Sequence, residues 1–246
     1  METFFAQLGV TSGILSASVV TGGLVPLFFS RTRRYLPVFL SCSAGIMLGA
    51  TLIHLLPEAI GLIGRQAPLW VLCGFLFLYV FERFVTVHIC EALECEVHTI
   101  GIAAVVGISA HALTDGIALG SGLLVPGLGM VILLAIFFHK LPEAFALTSI
   151  LLHESSGRGR VVLFNLLLIA MVPLGGMLVY ALVGPGHPQV TGNALAFSAG
   201  TFLHISISDL LPEIHKYSER RYSLFFSFFA GLLLMYLLGR VLHPVT

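Results

Sequence analysis

Charge is the scarcest resource in this chain of 246 residues: 12 Lys and Arg against 12 Asp and Glu, 10% of the whole, with a formal net charge of zero. That balance gives no electrostatic footprint for nucleic acid, so no such partner is expected. Cysteine is nearly as rare. Cys42 and Cys73 sit in apolar runs and Cys90 and Cys95 in a polar stretch, which builds no disulfide framework. No polar segment is long enough for a separate soluble domain. The first apolar run continues too long for a cleavable signal pattern. The hydrolase signature H-E-x-x-H is missing too: His153-Glu154 runs on into Ser155, Ser156, Gly157 and Arg158. What remains is apolar, 57% hydrophobic residues and a mean hydropathy of +1.01. Such a composition belongs to an all-α integral membrane protein, one polytopic domain over residues 1–246.

Runs of membrane-spanning length predict eight helices, at about 5–30, 36–60, 68–87, 99–124, 128–152, 161–183, 192–214 and 224–242. The side holding the loops after spans one, three, five and seven carries Arg31, Arg33, Arg34, Arg83, Arg158, Arg160, Lys216, Arg220 and Arg221. The other side has Arg65 and Arg240. Nine against two places both termini outside and the loop after span three in the cytoplasm. An internal echo links span two, A-G-I-M-L-G-A-T-L-I-H-L-L-P-E, to span seven, A-G-T-F-L-H-I-S-I-S-D-L-L-P-E, with seven of fifteen positions identical. The two spans should cross in opposite senses, and inverted repeats around a midplane site are a transporter signature.

The chain is organised around His111 to Leu147, where two apolar runs meet at Val125-Pro126-Gly127. Each run carries a His followed four residues later by a carboxylate: His111 and Asp115, then His139 and Glu143. Residues four apart share a helix face, so each helix can aim an imidazole and an acid at one point. Lys140 is the only other ionisable side chain between them. An Asp, Glu or Lys at the centre of a spanning helix costs roughly 3 kcal/mol, hence about 9 kcal/mol for Asp115, Lys140 and Glu143 together. Such residues persist where they face a cavity and a partner. Two neutral imidazoles and two carboxylates suit a divalent cation; the competing reading is a buried ion-pair network such as Asp115 with Lys140. Pro142, between His139 and Glu143, removes a helix hydrogen bond and frees the Phe138 carbonyl. Pro57, Pro173 and Pro212 should likewise free Ile53, Ile169 and Ser208.

Other polar groups are weaker candidates. His54 and Glu58 on span two, and His204, Ser206, Ser208 and Asp209 on span seven, could line an ion path or simply bond helices together. Positions 204 and 208 should share a face, as should 205 and 209. The loop residues His88, Cys90, Glu91, Glu94, Cys95, Glu96 and His98 could collect metal on the cytoplasmic side, though their spacing fits no zinc finger. His153, His187, His215 and His243 read as interfacial residues.

Eight spans, H-A-L-T-D-G on the fourth and H-K-L-P-E-A on the fifth resemble the ZIP (Zrt/Irt-like) family of divalent metal transporters, over the whole chain. The resemblance implies a midplane site on spans four and five that carries zinc, or iron, manganese or cadmium, toward the cytoplasm. It implies a transport bundle of spans one, four, five and six moving against spans two, three, seven and eight, in a homodimer. By motif the metal ligands would be His111, Asp115, His139 and Glu143. Met47 matches a position from which a thioether reaches the site in similar bacterial members. Many relatives hold a second metal through three further ligands, and here those positions are Ala112, Lys140 and Val172. Lys140 then replaces the second cation. The H-x-x-x-D-G and H-K-x-P branch occurs in bacterial and eukaryotic endomembrane members, so the bacterial cytoplasmic membrane is expected first. The donor set suits zinc, ferrous iron and manganese and lacks the thiolate that would select copper(I). Imidazole ligands bind metal only when neutral, so uptake should fall in acid. A membrane-embedded zinc hydrolase and a non-transporting metal sensor are the competing functions.

Overall fold

The computed structural model describes residues 2–28, 35–86, 98–153, 157–184, 187–215 and 217–242. Among these residues the secondary structure is helical throughout, with no strand. Helix α1 is Glu2–Phe28, α2 Leu36–Gly49, α3 Leu56–Ile63, α4 Ala67–Phe81, α5 His98–Leu123 and α6 Leu128–His153. They are followed by α7 Arg158–Leu182, α8 Pro188–His204, α9 Leu211–His215 and α10 Arg221–Leu242. Five helical stretches are long and apolar enough to cross a membrane: Glu2–Val25, Pro37–Phe84, Leu128–Ser149, Arg158–Leu182 and Arg221–Val241. The second is 48 residues, about 72 Å if straight, against a hydrocarbon core of about 30 Å. Gly64, at φ 58, breaks it between α3 and α4. Helix α8 falls outside the five because it carries polar residues along its length, among them Ser198, Thr201 and His204.

Two α-helices are continued by a π turn at the same place in the internal echo. Ala50–Leu55 links α2 to α3, and Ile205–Leu210 links α8 to α9. Each π turn ends directly before Leu-Pro-Glu. The Leu56 N–H donates to the Thr51 carbonyl, and the Leu211 N–H to the Ser206 carbonyl, five residues back in both cases. At Pro57 and Pro212 the chain thus widens into a π turn next to the hydrogen bond each proline removes. A proline ring collides with the carbonyl four residues behind it, and widening the turn by one residue relieves that collision. Pro142 and Pro173, by contrast, lie inside unbroken α6 and α7.

Packing follows a paired scheme: α1 lies along α6, α5 along α7, α2 along α10 and α4 along α8. Close approach depends on glycine. A Cβ on Gly116 would collide with the Val172 carbonyl and one on Gly175 with the Leu113 carbonyl, so α5 and α7 touch backbone to backbone. Gly45 and Gly231 do the same for α2 and α10, and Gly74 and Gly200 for α4 and α8. Small residues of this kind let helices approach where lipid supplies no hydrophobic drive. Serine hydroxyls add bonds between helices, from Ser41 to the Leu224 carbonyl at 2.6 Å, Ser227 to Val38 at 2.8 Å and Ser18 to Phe137 at 2.8 Å. Between α5 and α6 a short turn with Gly127 at φ 81 brings the two helices side by side.

Candidate metal centre

The turn at Gly127 sets the polar face of α5 against that of α6. His111 and Asp115 come from the first helix, His139, Lys140 and Glu143 from the second, and the i, i+4 spacing aims each imidazole and acid the same way. One ligand atom each from His111, Asp115, His139 and Glu143 falls within a group spanning 4.8 Å. His139 Nε2 lies 3.3 Å from Asp115 Oδ2, His111 Nε2 3.4 Å from the same oxygen, and His111 Nε2 3.9 Å from Glu143 Oε2. A zinc tetrahedron with bonds of about 2.05 Å has edges of about 3.3 Å. The two separations from Asp115 Oδ2 are of that size, and the rest of the group spreads to 4.8 Å.

The hydrogen bonding fixes which ring nitrogen faces the cluster. His139 Nδ1–H donates to the Ala135 carbonyl at 2.8 Å. In a neutral ring Nε2 is then an acceptor, and it faces another acceptor, Asp115 Oδ2. Two acceptors at 3.3 Å are an arrangement that a shared cation would stabilise. Asp115 Oδ1, Glu143 Oε1 and His111 Nδ1 are also buried without a hydrogen-bond partner. The donor set therefore fits a divalent ion.

Lys140 belongs to the same cluster. Its Nζ lies 2.6 Å from Asp115 Oδ2 and 2.6 Å from Glu143 Oε2, and the side chain is fully buried. It does not reach the protein surface. Ala112 and Val172 are both buried in apolar surroundings.

The sequence reading missed Phe202. Its ring stands edge-on to both imidazoles, 5.5 Å from His139 and 6.4 Å from His111. The internal echo offered a signal, since it aligns Phe202 with Met47. Met47 is buried in the same apolar core as Phe202.

The remaining candidates lie elsewhere. His54 Nε2–H donates to the Met235 carbonyl at 2.9 Å and packs on Gly239, joining α2 to α10. It also borders a cavity of about 380 Å³ with Glu58 and Arg240. His204 Nε2–H donates to Glu82 Oε2 at 2.9 Å, with Phe75 and Tyr79 edge-on to its ring. Ser206 donates to the Ala44 carbonyl at 3.0 Å. Ser208 is exposed while His204 is buried, so the expected shared face is lost. The π turn that contains Ser208 advances the phase by one residue, which rotates it away. His88, Cys90, Glu91, Glu94, Cys95 and Glu96 lie outside the described residues, and His98 opens α5. His187 and His215 are exposed at helix ends.

The ZIP zinc transporter family model matches residues 7–98 and 90–239. The chain is 23% identical to the zinc transporter ZIP9-B of Xenopus laevis over 259 residues, covering 85% of this chain and 86% of that protein. It is 27% identical to the zinc transporter ZupT of Chlorobium limicola over 244 residues, 89% of this chain and 91% of the relative. Against the zinc transporter ZIP10 of Mus musculus it is 31% identical over 123 residues, 49% of this chain and 14% of that protein.

Proposed function

The chain belongs to the ZIP zinc transporter family, and from that premise we propose that it carries divalent metal cations, zinc first, across a membrane into the cytoplasm. Iron, manganese and cadmium are the alternative cargoes for the same donors. The ion is bound by His111, Asp115, His139 and Glu143, with the Met47 thioether as an auxiliary ligand and Lys140 in place of a second metal. The observation that carries this reading is the convergence of four ligand atoms from α5 and α6 within 4.8 Å. Family members are transporters rather than enzymes, which argues against the hydrolase alternative.

Transport proceeds by alternating access within a single domain of eight spans and outside termini. Helices α1, α5, α6 and α7 form the moving bundle, and α2, α4, α8 and α10 with their extensions form the scaffold. The helix pairing supports this division, since α1 with α6 and α5 with α7 fall on one side, α2 with α10 and α4 with α8 on the other. The pairing also maps onto itself when α1 is exchanged with α7, α2 with α8, α4 with α10 and α5 with α6, as an inverted repeat requires. The protein works as a homodimer in the bacterial cytoplasmic membrane or a eukaryotic endomembrane. His54, Glu58, His204, Ser208 and Asp209 are secondary candidates for the ion path, and the loop from His88 to His98 for metal collection.

Radioactive zinc uptake into proteoliposomes tests the reading. The native protein should fill the vesicles, and Asp115→Ala should not. Zinc binding without translocation by the native protein would favour a sensor instead.

A further inference from the structure

The charges of the cluster lead further, and this step rests on the transport reading above. Asp115, Glu143 and Lys140 are its fixed charges, with Lys140 Nζ bridging the two carboxylates at 2.6 Å each. Among the described residues the imidazoles of His111 and His139 also face it; an imidazole ligates only as the neutral ring, and both are counted as neutral in the loaded and ion-free forms. The ion-free cluster then sums to −1, and the cluster with one divalent cation sums to +1. The cost of holding charge in a poorly polarisable interior grows with the square of that charge. Both forms therefore cost the same. With a neutral side chain in place of Lys140 the sums become −2 and 0. The loaded form would then move freely, and the ion-free form would carry four times the single-charge cost.

We infer that Lys140 is a tethered counter-cation that equalises the loaded and ion-free forms of the site, so that the ion-free carrier returns across the membrane without a co-transported ion. The two-charge movement of each cycle is divided evenly, one charge with the loaded step and one with the return.

Two transport modes in proteoliposomes separate these steps. Net uptake into zinc-free vesicles requires the ion-free return, whereas exchange of external radioactive zinc against saturating internal zinc does not. Lys140→Gln is expected to lower net uptake at least about tenfold more than it lowers exchange, because the return step alone acquires the doubled charge. Lys140→Arg should restore the native ratio. Equal loss of both modes in Lys140→Gln overturns the inference. A second measurement uses only the native protein: with zinc saturating on both sides, exchange should respond to an imposed potassium diffusion potential, since the loaded form carries one charge. Exchange indifferent to that potential also overturns it. Absence of both modes in the native protein would instead remove the transport reading on which it stands.

Discussion

His139 illustrates what one residue contributes. Its Nδ1–H is committed to the Ala135 carbonyl of its own helix, one turn back, which orients the ring and leaves Nε2 for the cluster. Losing a directly bound ligand should exceed the 10–100-fold that loss of an orienting partner costs. His139→Ala is accordingly expected to reduce zinc uptake by more than about 100-fold, while tryptic protection of the purified protein stays near native. An imidazole binds metal only as the neutral ring, so initial uptake rates at a fixed free zinc concentration should fall in acid. Rates that rise below about pH 5 would contradict imidazole ligation. Phe202 acts through the rings rather than on the ion. Phe202→Ala opens a void beside both imidazoles, with a cost of about 3–5 kcal/mol in folding stability. A parallel loss of zinc affinity, measured by competition with a fluorescent chelator, would tie ring positioning to binding.

Elements are held in register by the absence of side chains as much as by their presence. At the α5–α7 crossing, Gly116 faces the Val172 carbonyl and Gly175 the Leu113 carbonyl. Gly116 is the residue after Asp115, so this contact also fixes the depth of the site. Gly116→Val should destabilise the protein by about 1–3 kcal/mol through overpacking. Thermal unfolding in detergent checks this, and Gly9→Val, at a position with open space around it, is the matched control expected to change little. The π turns before Pro57 and Pro212 were not legible in the sequence. A proline announces that the α-helical ladder must break, but whether the chain kinks or widens depends on how its neighbours seat the turn. That choice redirected Ser208 and undid the face expected for positions 204 and 208.

At the scale of the molecule, the distribution of Lys and Arg makes a topological prediction. With Cys42, Cys73, Cys90 and Cys95 replaced by Ser, a cysteine introduced at Thr3 should react with a membrane-impermeant maleimide added to intact cells. One introduced at Gly159 should react only after permeabilisation. Reaction of the Gly159 site in intact cells would reverse the orientation and with it the direction of transport. Four helix pairs repeat the same packing, yet the cluster is unequal: Lys140 on α6 aligns with Ala112 on α5 when the two His positions are superposed. Symmetry thus supplies the scaffold, and one departure from it supplies the internal cation.

The amino-acid order alone determined that the chain is a helical membrane protein and that His111, Asp115, His139 and Glu143 form a set. Apolar run length, the cost of charge in lipid and the helical period are local properties that need no knowledge of neighbours. Tertiary structure decided what spacing cannot encode: that Lys140 turns inward to bridge two carboxylates, that Phe202 from a helix distant in the chain stands against both imidazoles, and that His54 and His204 bond to α10 and to Glu82. A buried polar side chain must find its partner wherever packing places one, and that partner is set by how the helices cross rather than by their sequence.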